Sequence, residues 1–339
     1  MGIKGSECLH NDSSNNYDAV DAFKFIAAIM VVMIHTSPFI EFGYLDYYIS
    51  CLCRIAVPFF FTFSSFIFYK KKKGITDYVK RMLVLYACWF VIELPFIIND
   101  FFIVPDRPFV EKLLIFLRGL FINSTFPASW FITASWQGML LVYFLSKKVG
   151  WKGLLVIGIL CYCSSLPGTM YYELISGTPL YKPYWYGFNI ILCPANSFIT
   201  AIPFIVFGKY LATHEIILAR WKNHLLLFLA ICIGLLEVSV FRDSYYMNDT
   251  YLSLLFISPL LVLVLLNTSL RIPGNICRLL RRSSILIYIV HLPVFSIIGL
   301  LWKIDKGFIG FIVTLTISII ISLLIIVLSK RISLLKKLY

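Results

Sequence analysis

Long apolar stretches alternate with short polar and basic connections along almost the whole chain. A stretch of about 20 apolar residues is long enough to cross the hydrocarbon core of a bilayer as a helix. The pattern predicts ten such spans, at residues 20–40, 49–69, 80–99, 129–146, 151–167, 195–212, 223–241, 250–267, 283–301 and 308–329. We therefore expect an all-α polytopic integral membrane protein whose helices form a single bundle.

One further apolar stretch, residues 109–122, contains Lys112 and Arg118. Two cations within so short a segment predict an interfacial helix or the lower part of a span. The ends of the chain are polar. They predict a cytoplasmic N-terminal segment at 1–17, a membrane domain at 18–330 and a basic cytoplasmic tail at 331–339. Because the first apolar run comes late, a cleaved signal peptide is not expected.

The composition agrees with a membrane protein. Hydrophobic residues are 60% of the 339 and charged residues 14%, against about 45–50% and about 25% in soluble domains. These values exclude a soluble fold and a disordered chain. Nine cysteines are present, but no CxxC pair stands with histidines at metal-binding spacing, so we expect no metal site.

The formal net charge is +13, and the basic residues cluster in the connections between the apolar runs. This distribution is typical of membrane topology and does not indicate a nucleic-acid partner. With the N-terminus inside, most Lys and Arg face the cytoplasm, which predicts an N-in, C-in topology. The exceptions, which fall outside, are Arg107, Lys112, Arg118, Lys182, Arg242, Lys303 and Lys306.

Ionisable residues inside predicted spans are candidates for function, because burying them in a bilayer is unfavourable. Lys24 and His35 are eleven residues apart in the first span, which places them about 20° apart around a helix and about 16 Å apart along it. Asp21 is spaced to pair with Lys24. Arg54, in the second span, is predicted to approach His35. In the alternative interpretation, the side chains of Lys24 and Arg54 snorkel toward the membrane surface and His35 is simply packed in the bundle.

Two carboxylates lie at a depth comparable to that of His35, Glu93 in the third span and Glu237 in the seventh. Either is a candidate to pair with Arg54 or to hold His35 in one tautomer.

Four motifs carry a resemblance to a known family. They are Lys24-x10-His35, the run from Arg54 to Pro58-Phe59-Phe60, Ser129-Trp130-Phe131, and the run Ser283-Ser284 to Tyr288, His291 and Pro293. In this order they resemble the membrane acyltransferase-3 family, and especially surface polysaccharide and O-antigen O-acetyltransferases and the membrane domain of vancomycin-type serine racemases. The chain departs from the family pattern at three places. Lys24 stands where the family usually has Arg, and Ser64-Ser65 stands where it commonly has Ser-Gly. A His often precedes the Trp-Phe pair in the family, and here that region is Ala128-Ser129.

The resemblance implies an O-acyltransferase in the bacterial cytoplasmic membrane. Its donor would be cytoplasmic acyl-CoA, by family habit acetyl-CoA, and its acceptor a hydroxyl of a surface polysaccharide or a lipid-linked sugar precursor. His35 would be the general base, Arg54 the oxyanion donor and Lys24 the contact to acyl-CoA. Residues expected to line the substrate site are Glu93, Trp130, Tyr288 and His291.

Three other interpretations stay open on the sequence alone. A relay through an acyl-histidine at His35 is a variant of the mechanism. A transporter or flippase for a small amino acid or acyl donor would suit helices broken near Pro58 and Pro259. A structural membrane subunit would tolerate substitution of His35, Lys24 and Arg54.

Overall fold

The structure is a computed structural model that describes residues 17–126, 128–214, 220–242 and 250–339. The predicted polar segment 1–17 therefore lies, apart from its last residue, outside the described residues. Within these ranges the chain is helical and forms no β-strand. The α-helices are α1 Asp18–Thr36, α2 Tyr44–Cys53, α3 Ala56–Lys70, α4 Ile75–Ile98, α5 Phe109–Phe121, α6 Ser129–Leu145, α7 Trp151–Ser165, α8 Tyr172–Ser176, α9 Ile190–Leu192, α10 Phe198–Thr213, α11 Arg220–Val240, α12 Leu254–Leu266, α13 Gly274–Trp302 and α14 Phe308–Leu328.

The multi-pass helical prediction is confirmed. Among the described residues, seven helices are long and apolar enough to cross a membrane, or eight if the segment before α10, bent by 45° from it, forms one span with α10. A helix lies in each of the ten predicted runs, but α12 has only 13 residues and α6 only 17. The count of ten spans and the orientation stay predictions. Because α5 has 13 residues, too few to cross a bilayer, its length favours the interfacial alternative.

A carboxylate explains where α12 begins. Glu237 accepts hydrogen bonds from the backbone amides of Leu252 at 2.6 Å and Ser253 at 2.9 Å, and from the Ser253 hydroxyl. Free amide groups at the start of a helix need such acceptors, and a negative charge is favoured there. The structure therefore gives Glu237 a capping role at α12, and the expectation that it orients Arg54 or His35 is not supported by these contacts.

The second predicted span is interrupted at Arg54, between α2 and α3. The Arg54 amide still donates to the carbonyls of Ser50 and Cys51, at 3.2 and 3.1 Å. Pro58 stands in the first turn of α3, where its missing amide hydrogen costs no helical hydrogen bond. Together α2 and α3 still form one membrane-long helical segment, Tyr44–Lys70, and Arg54 lies at the joint between them.

Small and hydroxyl residues bring α3 close to α10 and α12. A β-carbon at Gly208 of α10 would overlap the carbonyl oxygen of Thr62 and the side chain of Ser65, both on α3. Ser65 donates to the carbonyl of Ile205 at 2.6 Å, and the Thr62 and Ser258 hydroxyls are 2.8 Å apart. Close approach at small residues, with hydroxyl bonds across it, is a typical membrane helix contact. It fixes α3, and with it the joint at Arg54.

Contacts at both ends hold α1 to the neighbouring helices. At its first turn, Asp18 accepts from the amide of Ile272 at 2.9 Å, and Asp21 pairs with Arg281 of α13 at 3.1 Å. At its last residue, the carbonyl of Thr36 accepts from the amide of Gly307 at 2.8 Å. These contacts place the C-terminal turn of α1 beside α13 and the connection 303–307.

The predicted basic tail packs on the bundle. Residues Ser333–Leu338 form a 3-10 helix against α4, where the indole of Trp89 donates to the carbonyl of Leu338 at 3.1 Å. Leu338 itself is buried.

Candidate active site

A cavity of about 440 Å³ opens at the end of the bundle where α1 finishes. Its wall combines helices α1, α3, α6, α10 and α13 with the connections that follow α5, α9 and α13. The charge count predicts that this end faces the outside. Apolar side chains such as Ile34, Val57 and Phe61 alternate with polar groups around it. The polar and charged lining residues are His35, Arg54, Asn123, Ser124, Asn196, Thr200, Thr250, Tyr288 and Lys306.

His35 and Arg54, the two residues predicted to approach each other, line this same cavity. His35 is half-buried in the last turn of α1, just before the residue that bonds to Gly307. Arg54 reaches the cavity from the joint between α2 and α3. The pair combines a group able to accept a proton with a guanidinium able to stabilise a developing negative charge, in one partly water-excluded space.

His291 lies behind His35 and does not line the cavity. Its side chain is on α13 with 1% of its surface exposed, and its ring centroid is 5.2 Å from that of His35. Its Nδ1 is 3.1 Å from the carbonyl oxygen of Ile287. Among the described residues its Nε2 has no hydrogen-bond partner.

Aromatic side chains line part of the cavity and pack against it. Trp130 and Tyr288, both predicted to line a substrate, do line it. Tyr288 contacts Phe131 at 5.3 Å and Phe60 at 6.3 Å between ring centroids, and Phe60 contacts Phe131 at 5.9 Å. We call Phe60, Phe131 and Tyr288 the aromatic layer.

Lys24 lies away from the cavity, toward the other end of α1. Its Nζ is 2.9 Å from Asp21, as the spacing predicts, and 4.5 Å from the ring centroid of Phe63. The first residue of α1 to reach the cavity is Val31, so the turns between Val31 and Lys24 separate the two. The structure thus keeps Lys24 and His35 on one helix but in different environments.

Glu93 is buried in α4, with 2% of its surface exposed, and is not part of the cavity wall. The geometry therefore does not bring it to the substrate-lining position expected from the sequence. Within the described part of the chain, no three His, Cys, Asp or Glu side chains come together as a metal site would require.

Sequence reasoning missed six polar lining residues, namely Asn123, Ser124, Asn196, Thr200, Thr250 and Lys306. The Oδ1 atom of Asn123 is buried and makes no hydrogen bond to the described residues. Lys306 was recognisable only as one of the few basic residues predicted outside. The feature that would have selected Lys306 is its neighbour Gly307. The hydrogen bond from the Gly307 amide to the Thr36 carbonyl brings the connection that contains Lys306 close to His35.

Comparisons with known proteins identify a family that the chain matches. The model of the acyltransferase-3 family, described as "Acyltransferase domain", matches residues 17–330. The match thus includes both ends of the cavity wall, from α1 to the connection that carries Lys306. No solved structure matches the chain.

Three relatives are named racemases. Two are called "Amino-acid racemase" in Enterococcus faecalis, each 25% identical, over 93% and 65% of this chain. The third, "Serine/alanine racemase" of Enterococcus gallinarum, is 28% identical over 67% of this chain. The matched regions cover 46%, 31% and 33% of those proteins. This chain therefore spans less than half the length of these relatives.

Proposed function

This chain belongs to the acyltransferase-3 family, and we propose that it is an O-acetyltransferase of the bacterial cytoplasmic membrane. It moves an acetyl group from cytoplasmic acetyl-CoA to a hydroxyl of a surface polysaccharide or of its lipid-linked precursor. The observation that carries the proposal is that His35 and Arg54 line one cavity with Trp130 and Tyr288. These residues belong to the family motifs, and four separate helical segments bring them together.

In the proposed step, neutral His35 removes the proton from the acceptor hydroxyl as the oxygen attacks the thioester carbonyl carbon. The carbon–oxygen bond forms, and Arg54 stabilises the negative charge on the tetrahedral intermediate. The carbon–sulfur bond then breaks and the thiolate of CoA takes the proton from His35. The step leaves an acetyl ester, free CoA and neutral His35.

The donor is proposed to enter from the opposite end of the bundle. A groove of about 350 Å³ there is lined by the basic side chains of Lys80, Arg81, Lys336 and Lys337, which suit the phosphates of CoA. From this end the thioester arm would pass Lys24 and the aromatic layer to reach His35.

The test compares surface glycans from two strains of the native host, one carrying the wild-type gene and one carrying His35→Ala. Mass spectrometry should show that a glycan repeat loses the mass of one acetyl group in the variant, because the base is absent. Immunoblots of the membrane fraction control for protein level. Full acetylation with His35→Ala at normal level would refute the assignment of His35 as base.

A second candidate, transport of a small amino acid, has one specific observation in its favour. The relatives are named after amino acids as substrates of racemases, and α12 contains Pro259, a residue type found in the broken helices of transporters. Purified protein in liposomes separates the two functions. An acetyltransferase releases CoA thiol from acetyl-CoA in the presence of acceptor lipid, whereas a transporter accumulates labelled serine without consuming the thioester.

A further inference from the structure

We propose that His291 is a positioning residue for His35: its Nε2 accepts the N–H of His35 and so fixes which nitrogen of His35 faces the acceptor. The inference rests on the proposed function, in which His35 is the base. It starts from a buried side chain on α13 that lies directly behind His35 and not in the cavity wall.

The hydrogen bond on the other side of the ring sets the protonation of His291. A carbonyl oxygen can only accept, so the Nδ1 that lies 3.1 Å from the carbonyl of Ile287 must carry the hydrogen. In the neutral ring, Nε2 is then a bare acceptor. This Nε2 is buried and makes no hydrogen bond to the described residues, so it lacks the hydrogen-bond donor that a buried acceptor normally has.

His35 is placed to supply that donor. The two ring centroids are 5.2 Å apart and the ring planes are tilted by 41°. A ring nitrogen lies about 1.2 Å from its centroid, so facing nitrogens at this separation come to about 3 Å, the length of a hydrogen bond. Rotation of the His35 ring about its Cβ–Cγ bond points one of its N–H groups at Nε2 of His291 and so forms the hydrogen bond. Catalytic hydrogen bonds often tighten in this way only when substrate is bound.

The hydrogen bond to His291 helps His35 act as a base in two ways. With one nitrogen donating to His291, the other nitrogen of His35 is bare and free to take the proton of the hydroxyl. When His35 becomes positive, its bond to His291 becomes charge-assisted. This matters because the cations Arg54 and Lys306 line the same cavity, and a neutral acceptor behind His35 offsets part of their repulsion.

The test uses purified full-length chain in lipid nanodiscs, with acetyl-CoA as donor and the host's lipid-linked glycan fraction as acceptor. His291→Phe keeps a ring of similar size without an acceptor, and His291→Gln places an oxygen near the position of Nε2. Val294→Ala, also buried on α13, is the control for a packing defect without loss of a polar group. Thermal unfolding of each variant reports whether the protein is folded.

We expect His291→Phe to lower kcat at least about tenfold, as the loss of a group that fixes a histidine tautomer does, while KM for acetyl-CoA is unchanged. His291→Gln should recover most of kcat, and Val294→Ala should keep it. Equal loss in His291→Phe and His291→Gln, or full activity of His291→Phe, overturns the positioning role. Full activity of His35→Ala instead overturns the proposed function, so the two failures are distinct.

Discussion

At the scale of single residues, the cavity depends on contacts made by neighbours of the lining residues. Lys306 reaches the cavity because Gly307, next in sequence, donates to the carbonyl of Thr36. Gly307 has φ +137°, a value that side-chain-bearing residues rarely adopt. The connection therefore needs glycine in order to hold Lys306 beside His35.

Lys306 is expected to act on the acceptor. It is a cation at the rim of the cavity, on the end opposite to Lys24, so removing it should weaken acceptor binding and leave the donor unaffected. We expect Lys306→Ala to raise the apparent KM for the acceptor fraction about threefold to tenfold, equivalent to one hydrogen bond, with KM for acetyl-CoA unchanged.

The control for this prediction is Lys303→Asn in the same connection. Lys303 does not line the cavity and has φ +54°, which asparagine tolerates. Equal effects of the two substitutions on acceptor KM would show that the connection matters only through its general charge.

At the scale of helices, the position of Arg54 depends on how closely α3 approaches α10. Gly208 is the contact point, because a β-carbon there would meet the backbone of Thr62. Backbone cannot move aside as the end of a flexible side chain can, so the helices would have to separate.

We therefore expect Gly208→Ala to lower the thermal unfolding midpoint of the detergent-solubilised protein and to reduce acetyl transfer in parallel. Overpacking of this kind costs about 1–3 kcal/mol. Gly187→Ala is the matched control, since no atom lies within 4 Å of a β-carbon built there. An unchanged midpoint for Gly208→Ala would mean that α3 and α10 are not in close contact in the membrane.

The helices also show what sequence could and could not predict. Lengths and apolar runs follow from local composition, so each predicted run contains a helix, and the spacing of Asp21 and Lys24 predicts their ion pair. The sequence did not predict the capping role of Glu237, because its partners Leu252 and Ser253 lie just before the next helix. That contact depends on how the chain reverses after α11, which hydrophobic periodicity does not record.

The same limit of local sequence patterns explains which residues of the candidate site could be predicted and which could not. Motif resemblance selects His35, Arg54, Trp130 and Tyr288, and all four meet in one cavity. The depth of Glu93 in its predicted span made it a further candidate, but Glu93 is buried in α4 and does not line the cavity. Packing of α1 against α13 brings His291 behind His35, and residues so far apart in sequence cannot be paired without the fold.

At the scale of the whole molecule, the two ends of the bundle differ in chemistry. One end carries the cavity with His35 and Lys306, and the other carries the groove lined by four basic side chains. The proposed reaction needs this difference between the two ends, because the donor acetyl-CoA is in the cytoplasm and the acceptor is on the other side of the membrane. The orientation of the bundle is therefore the most direct global test of the proposal.

We expect an impermeant maleimide added to intact spheroplasts to label Lys182→Cys but not Lys72→Cys. Both positions are exposed, and the charge distribution assigns 182 to the outside and 72 to the cytoplasm. Labelling of the unsubstituted chain gives the background from its own cysteines, and permeabilised cells show that both introduced cysteines react. The reverse pattern would place the cavity in the cytoplasm, where a hydroxyl of a surface glycan does not reach His35, and would favour a cytoplasmic acceptor.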